Sequence, residues 1–192
     1  MRLIVSLLLL FSMSGCAGVQ QLAALRKVEF RFDRIGDPHV AGIALDDVRS
    51  VDDVSASELA RLTLAIASDD VPLDLEVHVV GTNPETNTVT AKLIGLDWSY
   101  IVDGREAVSG KVTESYEFPP GNATDVELPV TFNLMDLLGG TGEDLLDSAL
   151  ALAGVRASTH RVTVELRPLI DTPMGPMRYP SPIELVLAAG AR

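Results

Sequence analysis

The sequence predicts a mostly β protein: an antiparallel sandwich of about seven short strands carrying one or two short helices. Three observations predict it. Apolar and polar residues alternate with a period of two along most of the chain. Turn-forming Gly, Pro, Asn and Asp break that alternation roughly every ten residues, the spacing of a sandwich. Helical spacing of apolar residues is confined to two segments.

The elements follow in order. Residues 17–25 read as a tether with some helical character. Val28-Glu29-Phe30-Arg31-Phe32-Asp33 alternates as a half-buried strand, and Gly36-Asp37-Pro38 is expected to end it. A second strand is expected within 42–48. Ser55-Ala56-Ser57-Glu58 has the spacing of a capping box, in which the Ser55 hydroxyl caps the helix and Glu58 reaches back, so a helix is expected over 56–67. Leu73, Leu75, Val77 and Val79 then alternate with Asp74, Glu76 and His78, and Gly81-Thr82-Asn83-Pro84 closes that strand.

Residues 89–102 are long enough for one strand or a bent pair, with Leu96, Trp98, Tyr100 and Val102 on one face. Asp103-Gly104 signals a tight hairpin, and 110–118 returns. Pro119-Pro120-Gly121-Asn122 turns again into Val126, Leu128, Val130, Phe132 and Leu134, where Pro129 points to an edge strand or a bulge. Residues 139–142 open a second helix whose Leu145, Leu146, Ala149, Leu150 and Ala153 share a face, with Gly154 suited to its end. Val162, Val164 and Leu166 mark another strand. A proline-rich 168–182 precedes the last, at Ile183, Leu185 and Leu187.

The N-terminus has a different character. Arg2 is followed by an apolar run from Leu3 to Phe11, broken only by Ser6, and small residues lead up to Cys16. The run is too short to span a bilayer as a helix and has the layout of an export signal over 1–15. Met13-Ser14-Gly15-Cys16 resembles the lipobox of bacterial lipoproteins, with Met13 in place of the usual Leu. That resemblance implies cleavage before Cys16 and lipidation of its thiol. The domain organisation expected is therefore a signal at 1–15, a lipid-anchored tether at 16–27 and one domain at 28–190. Cys16 is the single cysteine, so no intramolecular disulfide forms. Neither Ala17 nor Gly18 is acidic, a pattern that resembles outer-membrane sorting toward the periplasmic face. At about 0.8 kcal/mol per buried acyl CH₂, a multiply acylated cysteine anchors firmly.

Cleavage leaves 177 of the 192 residues and, with Arg2 removed, takes the net charge from −12 to −13. So acidic a chain repels nucleic-acid phosphates and is not drawn to anionic lipid. Its hydrophobic content of 47% supports a packed core rather than a disordered hydrophilic chain.

Between Val77 and Phe132 an ordered set of short motifs appears: Thr82-Asn83-Pro84, then Gly95-Leu96-Asp97-Trp98-Ser99-Tyr100, Asp103-Gly104-Arg105-Glu106, Ser109-Gly110, Phe118-Pro119-Pro120-Gly121 and Val126-Glu127-Leu128-Pro129-Val130. Asp171-Thr172-Pro173-Met174-Gly175-Pro176 follows near the C-terminus. In order and spacing they resemble the LEA type 2 family, also known as LEA14-like or WHy-domain proteins. The resemblance covers most of 28–187 and is weaker over 36–70, where the helix after Ser55 reads as an insertion. It implies a fibronectin III/immunoglobulin-like sandwich, a non-enzymatic protein and an association with desiccation or osmotic stress. The matched positions read as fold determinants: Asn83 and Pro84 in a turn, Gly104 supplying positive φ, Trp98 and Tyr100 filling the core, and Gly95, Asp103, Gly110, Pro120, Gly121, Pro129, Pro173 and Gly175 shaping backbone.

No catalytic set, metal site or cofactor is expected. His39, His78 and His160 lie far apart, and His78 reads as a surface residue on the polar side of its strand. The pairs Asp46-Asp47, Asp52-Asp53 and Asp69-Asp70 lack the pattern of a calcium loop. Ser109 and Ser115 have no nucleophile elbow, and the glycines of 139–142 lack a phosphate-loop lysine. The expected partners are the membrane, through lipid on Cys16, and an envelope protein or a lipid ligand. No nucleic-acid partner is expected.

Overall fold

The computed structural model describes residues 15–137, 142–156, 160–172 and 174–187, with 15–19, 142 and 143 as backbone only. Among the described residues, eleven strands form two antiparallel sheets and a small ribbon. In the first sheet β1 (Glu29–Val40) and β3 (Pro72–Thr82) are central, flanked by β2 (Ile43–Ala44) and β8 (Ala123–Asn133), in the order β2-β1-β3-β8. The second sheet runs β10-β9-β5-β6: β10 (Met177–Arg178), β9 (Val162–Ile170), β5 (Gly95–Val102) and β6 (Arg105–Val112). β11 (Ile183–Leu187) pairs with the other end of β9. The ribbon is β4 (Ala91–Leu93) with β7 (Tyr116–Phe118).

The mostly β, antiparallel sandwich is thus the fold of this chain, with more strands than the expected seven because β2, β4, β7 and β10 are two or three residues long. Strands that short leave little periodicity to read. The alternation decides what is buried. Leu73, Leu75, Val77 and Val79 of β3 and Leu96, Trp98, Tyr100 and Val102 of β5 are buried in one core, where the Tyr100 ring packs against Phe132 of β8 with centroids 5.7 Å apart and planes tilted by 32°.

Several expectations are corrected. Gly36-Asp37-Pro38 does not end β1. Register shifts at 32/34 and 36/39 carry the strand through, with Asp37 at φ 46°, so the breaker residues build a bulge. The strand expected over 42–48 shrinks to β2 plus a 3-10 turn at Val51–Asp53, although Leu45 and Val48 are still buried. The bent-pair reading of 89–102 is the correct one, as β4 and β5. The returning strand after Asp103-Gly104 starts at Arg105, earlier than expected.

Helix α1 (Gly15–Leu25) replaces most of the expected tether, and its last turn belongs to the core, with Ala24 and Leu25 buried. Helix α2 (Ala56–Ala67) begins at the expected capping box: Glu58 N–H donates to Ser55 Oγ, and Ser55 N–H donates to the Glu58 carboxylate. After the short α3 (Leu134–Leu137), α4 (Gly142–Leu152) buries Leu145, Leu146, Ala149 and Leu150, and Gly154 follows at φ 70°. The expected export signal up to residue 14, the Cys16 side chain, residues 139–141, Pro173 and 188–190 lie outside the described residues.

Candidate functional site

The motif residues gather at turns and close approaches. Asn83, fully buried, sits where β3 ends. Its side-chain N–H groups donate to Val89 O at 3.0 Å and Phe118 O at 2.7 Å, and its Oδ1 accepts from Asn87 Nδ2 at 2.7 Å. Its backbone N–H donates to Asn122 O, and Gly121 N–H donates to its carbonyl. Pro84 starts the turn closed by Asn87 N–H onto Pro84 O. Asn87 also donates to Ala24 O at 3.0 Å, tying the end of α1 to the same knot. Gln21 adds two bonds to the backbone of Thr90 and Lys92. Side-chain amides of Asn83, Asn87 and Gln21 thus join β3, the 84–90 turn, β4, β7 and α1 at this end.

The other motif positions act on backbone and packing. Asp103 (φ 50°) and Gly104 (φ 79°) make a two-residue turn joining Val102 to Arg105, as the hairpin signal requires. Asp103 also accepts from Arg161 N–H at 2.8 Å and pairs with His160 Nδ1 at 2.7 Å, and the His160 hydrogen bond holds its carboxyl below the usual range. Trp98 lies over its cross-strand partner Gly110, where an added Cβ would come within 2.4 Å of the ring. At Gly95 the same atom would approach Val112 O at 3.2 Å. Pro120 and Gly121 (φ 74°) form the middle of the turn closed by Asn122 N–H onto Pro119 O. Pro129 stands on β8, an edge strand whose eleven-residue pairing with β3 has no bulge, so the edge is what accommodates it. Gly175 (φ 105°) exchanges two backbone bonds with Thr172.

The second polar cluster lies on the outer face of the first sheet and corrects the reading of His78 as a surface residue. His78 is 5% exposed. Its ring occupies a niche that exists because residue 36 has no side chain: a Cβ on Gly36 would sit 2.9 Å from Nε2. Arg34 on β1 and Glu127 on β8 are its direct cross-strand neighbours. Arg34 Nη2 approaches Nδ1 at 3.0 Å, and Asp125 Oδ2 approaches the same nitrogen at 2.8 Å. A single Nδ1 cannot accept from the guanidinium and donate to the carboxylate at once, so the imidazole tautomer chooses between them. Glu76 lies 3.8 Å from Nε2. Among the described residues, His78, Asp125 and Glu127 are the set whose potential metal-ligating atoms lie within 4.8 Å of one another.

An open concavity of about 320 Å³ borders this cluster, lined in part by Glu76, Glu114, Tyr116 and Glu127. Burial and the surrounding carboxylates raise the Tyr116 hydroxyl above its ordinary range. A second concavity, of about 250 Å³, lies over Asp97, Ser99, Ser109, Lys111, Glu165 and Arg167 on the outer face of the other sheet. Its charges are paired: Lys111 and, from β10, Arg178 with Asp97, and Arg167 with Glu165.

Sequence reasoning found Asn83, Trp98, Asp103, Gly104 and Gly110, which this geometry explains. It missed Asn87, whose Asn-Pro-x-x-Asn spacing was a usable signal. It also missed the Arg34–His78–Asp125–Glu127 group, which no local pattern announces.

No protein-family model matches the chain, and no curated protein matches it. Among solved structures, a protein from Archaeoglobus fulgidus is similar at 12% identity and a TM-score of 0.35, over 62% of this chain and 86% of that one. The solution structure of a candidate late embryogenesis abundant (LEA) protein is similar at 12% identity and a TM-score of 0.39, over 98% of this chain and 89% of that one.

Proposed function

We propose that this chain is a non-enzymatic, lipid-anchored envelope protein of the LEA14/WHy type that supports tolerance of desiccation or osmotic stress. The carrying observation is the behaviour of the ordered motif set. From Asn83-Pro84 through Asp103-Gly104, Gly110 and Pro120-Gly121, each motif closes a turn or admits a close approach, and Pro129 sits on an edge strand, all in one antiparallel sandwich. Residues that determine a scaffold behave in this way, whereas residues that carry out a reaction would converge on a cleft. The lipobox-like Met13-Ser14-Gly15-Cys16 supports anchoring by acyl chains at the outer membrane, with the domain in the periplasm.

The test is survival after graded drying and rehydration, and after salt stress, of wild type, a deletion and Cys16→Ala, with immunoblots to confirm protein levels. Faster death of both mutants is the expected result. Equal survival of all three at every severity would remove the stress role.

A further inference from the structure

We infer that His78, Asp125 and Glu127 form a binding site for a divalent transition metal of the zinc type, and that the Arg34 guanidinium is its built-in competitor. The donors come from two adjacent, rigid strands. His78 and Glu127 are paired across β3 and β8, and Asp125 shares the outward face of β8 two residues earlier. The imidazole is held in the niche beside Gly36, so the one donor that must be placed accurately is already placed. The two carboxylates sit on exposed residues and can close the remaining separation by rotation.

One nitrogen and two carboxylate oxygens, with water in the fourth position, match zinc. Calcium would require roughly six to eight oxygens.

Charge argues the same way. Asp33, Glu76, Asp125 and Glu127 surround one histidine and one arginine, an excess of negative charge that a divalent cation would balance. That a guanidinium already approaches both His78 Nδ1 and, at 3.6 Å, Asp125 shows what kind of charge the place attracts. Arg34 can leave without losing its pairing, because Asp33 holds its other nitrogen at 2.7 Å. The open concavity beside Glu76 and Glu127, where Glu114 adds a third carboxylate against the one cation, Lys111, among its described lining residues, gives a hydrated cation its approach.

The experiment is calorimetric titration of Zn²⁺ into the chain from residue 16 onward, which contains the whole described core. It carries Cys16→Ser so that the thiol does not take the metal. The visible spectrum of Co²⁺ serves as a second readout. One equivalent is expected to bind. His78→Ala and Glu127→Gln should each weaken it by at least about tenfold. Arg34→Gln should tighten it, and His39→Ala should leave it unchanged. Uptake by Arg34→Gln alone would also support the site, with the arginine as the winning competitor. Far-ultraviolet circular dichroism and Trp98 fluorescence confirm that the variants are folded. Zinc binding equal in wild type and His78→Ala, or no uptake by either wild type or Arg34→Gln, would overturn the inference and leave the cluster as a structural ion-pair network.

Discussion

Asn83 and His78 lie five residues apart, at and near the end of the same strand, and both are buried polar side chains in a β protein. They are satisfied in opposite ways. Asn83 is bonded to two main-chain carbonyls and to Asn87, groups fixed by the elements that carry them. His78 Nδ1 is offered Arg34 and Asp125, one at a time, and both side chains reach in from solvent, with exposures of 55% and 37%. Backbone partners have nowhere else to go, while side-chain partners can return to water. The first arrangement locks a corner of the fold. The second leaves a polar site whose occupant can change.

The comparison predicts unequal costs. Asn83→Ala should be the most damaging, because it strands Val89 O, Phe118 O and one Asn87 donor inside the protein. At roughly 1–3 kcal/mol for each unsatisfied buried group, a loss of about 4 kcal/mol is expected in chemical denaturation. It should be accompanied by faster proteolysis near α1, which the same knot retains. A loss under about 1 kcal/mol would mean that water replaces the amide and that the corner is not locked. His78→Ala should cost much less, about 1 kcal/mol, since Arg34 and Asp125 resolvate freely. A larger loss would show the cluster to be a structural keystone and would weaken the contrast with Asn83.

How much of this was readable follows the same division. Period-two runs such as Leu73 to Val79, the Asp103-Gly104 turn and the Ser55/Glu58 box depend on residues within a few positions of each other. They were read correctly. Asn83 was read as a turn former because Asn-Pro is a local signal. Its buried amide was not, since Phe118 lies thirty-five residues away. His78 looked exposed because it alternates with inward-facing valines. It is covered because two bulges in β1 bring Arg34 beside it and Gly36 leaves room for its ring, neither of which its own neighbourhood encodes. The last turn of α1 is not legible as core for the same reason: the helix packs on β4 and β9, and Asn87 bonds the Ala24 carbonyl, all far along the chain.

Another buried polar group, the Tyr100 hydroxyl, extends the comparison and carries the smallest effect. It is fully buried and has no hydrogen-bond partner among the described residues. Removing it by Tyr100→Phe deletes an unpaired polar atom while keeping the ring that packs on Phe132, so the change near neutral pH should lie within about 0.5 kcal/mol of zero. The difference should appear at high pH. Burial raises the Tyr100 ionisation well above its ordinary value, so the unfolded chain releases this proton first. Its contribution is intact below about pH 10, the unfolded value, and is lost as pH rises through the folded one. Wild type should therefore lose stability above about pH 10 more steeply than Tyr100→Phe, in denaturation curves taken at several alkaline pH values. Parallel decline of the two would mean that the phenol reaches solvent before global unfolding. In that case the core around β5 opens locally, and Asn83, not the aromatic layer, marks the more rigid part of the sandwich.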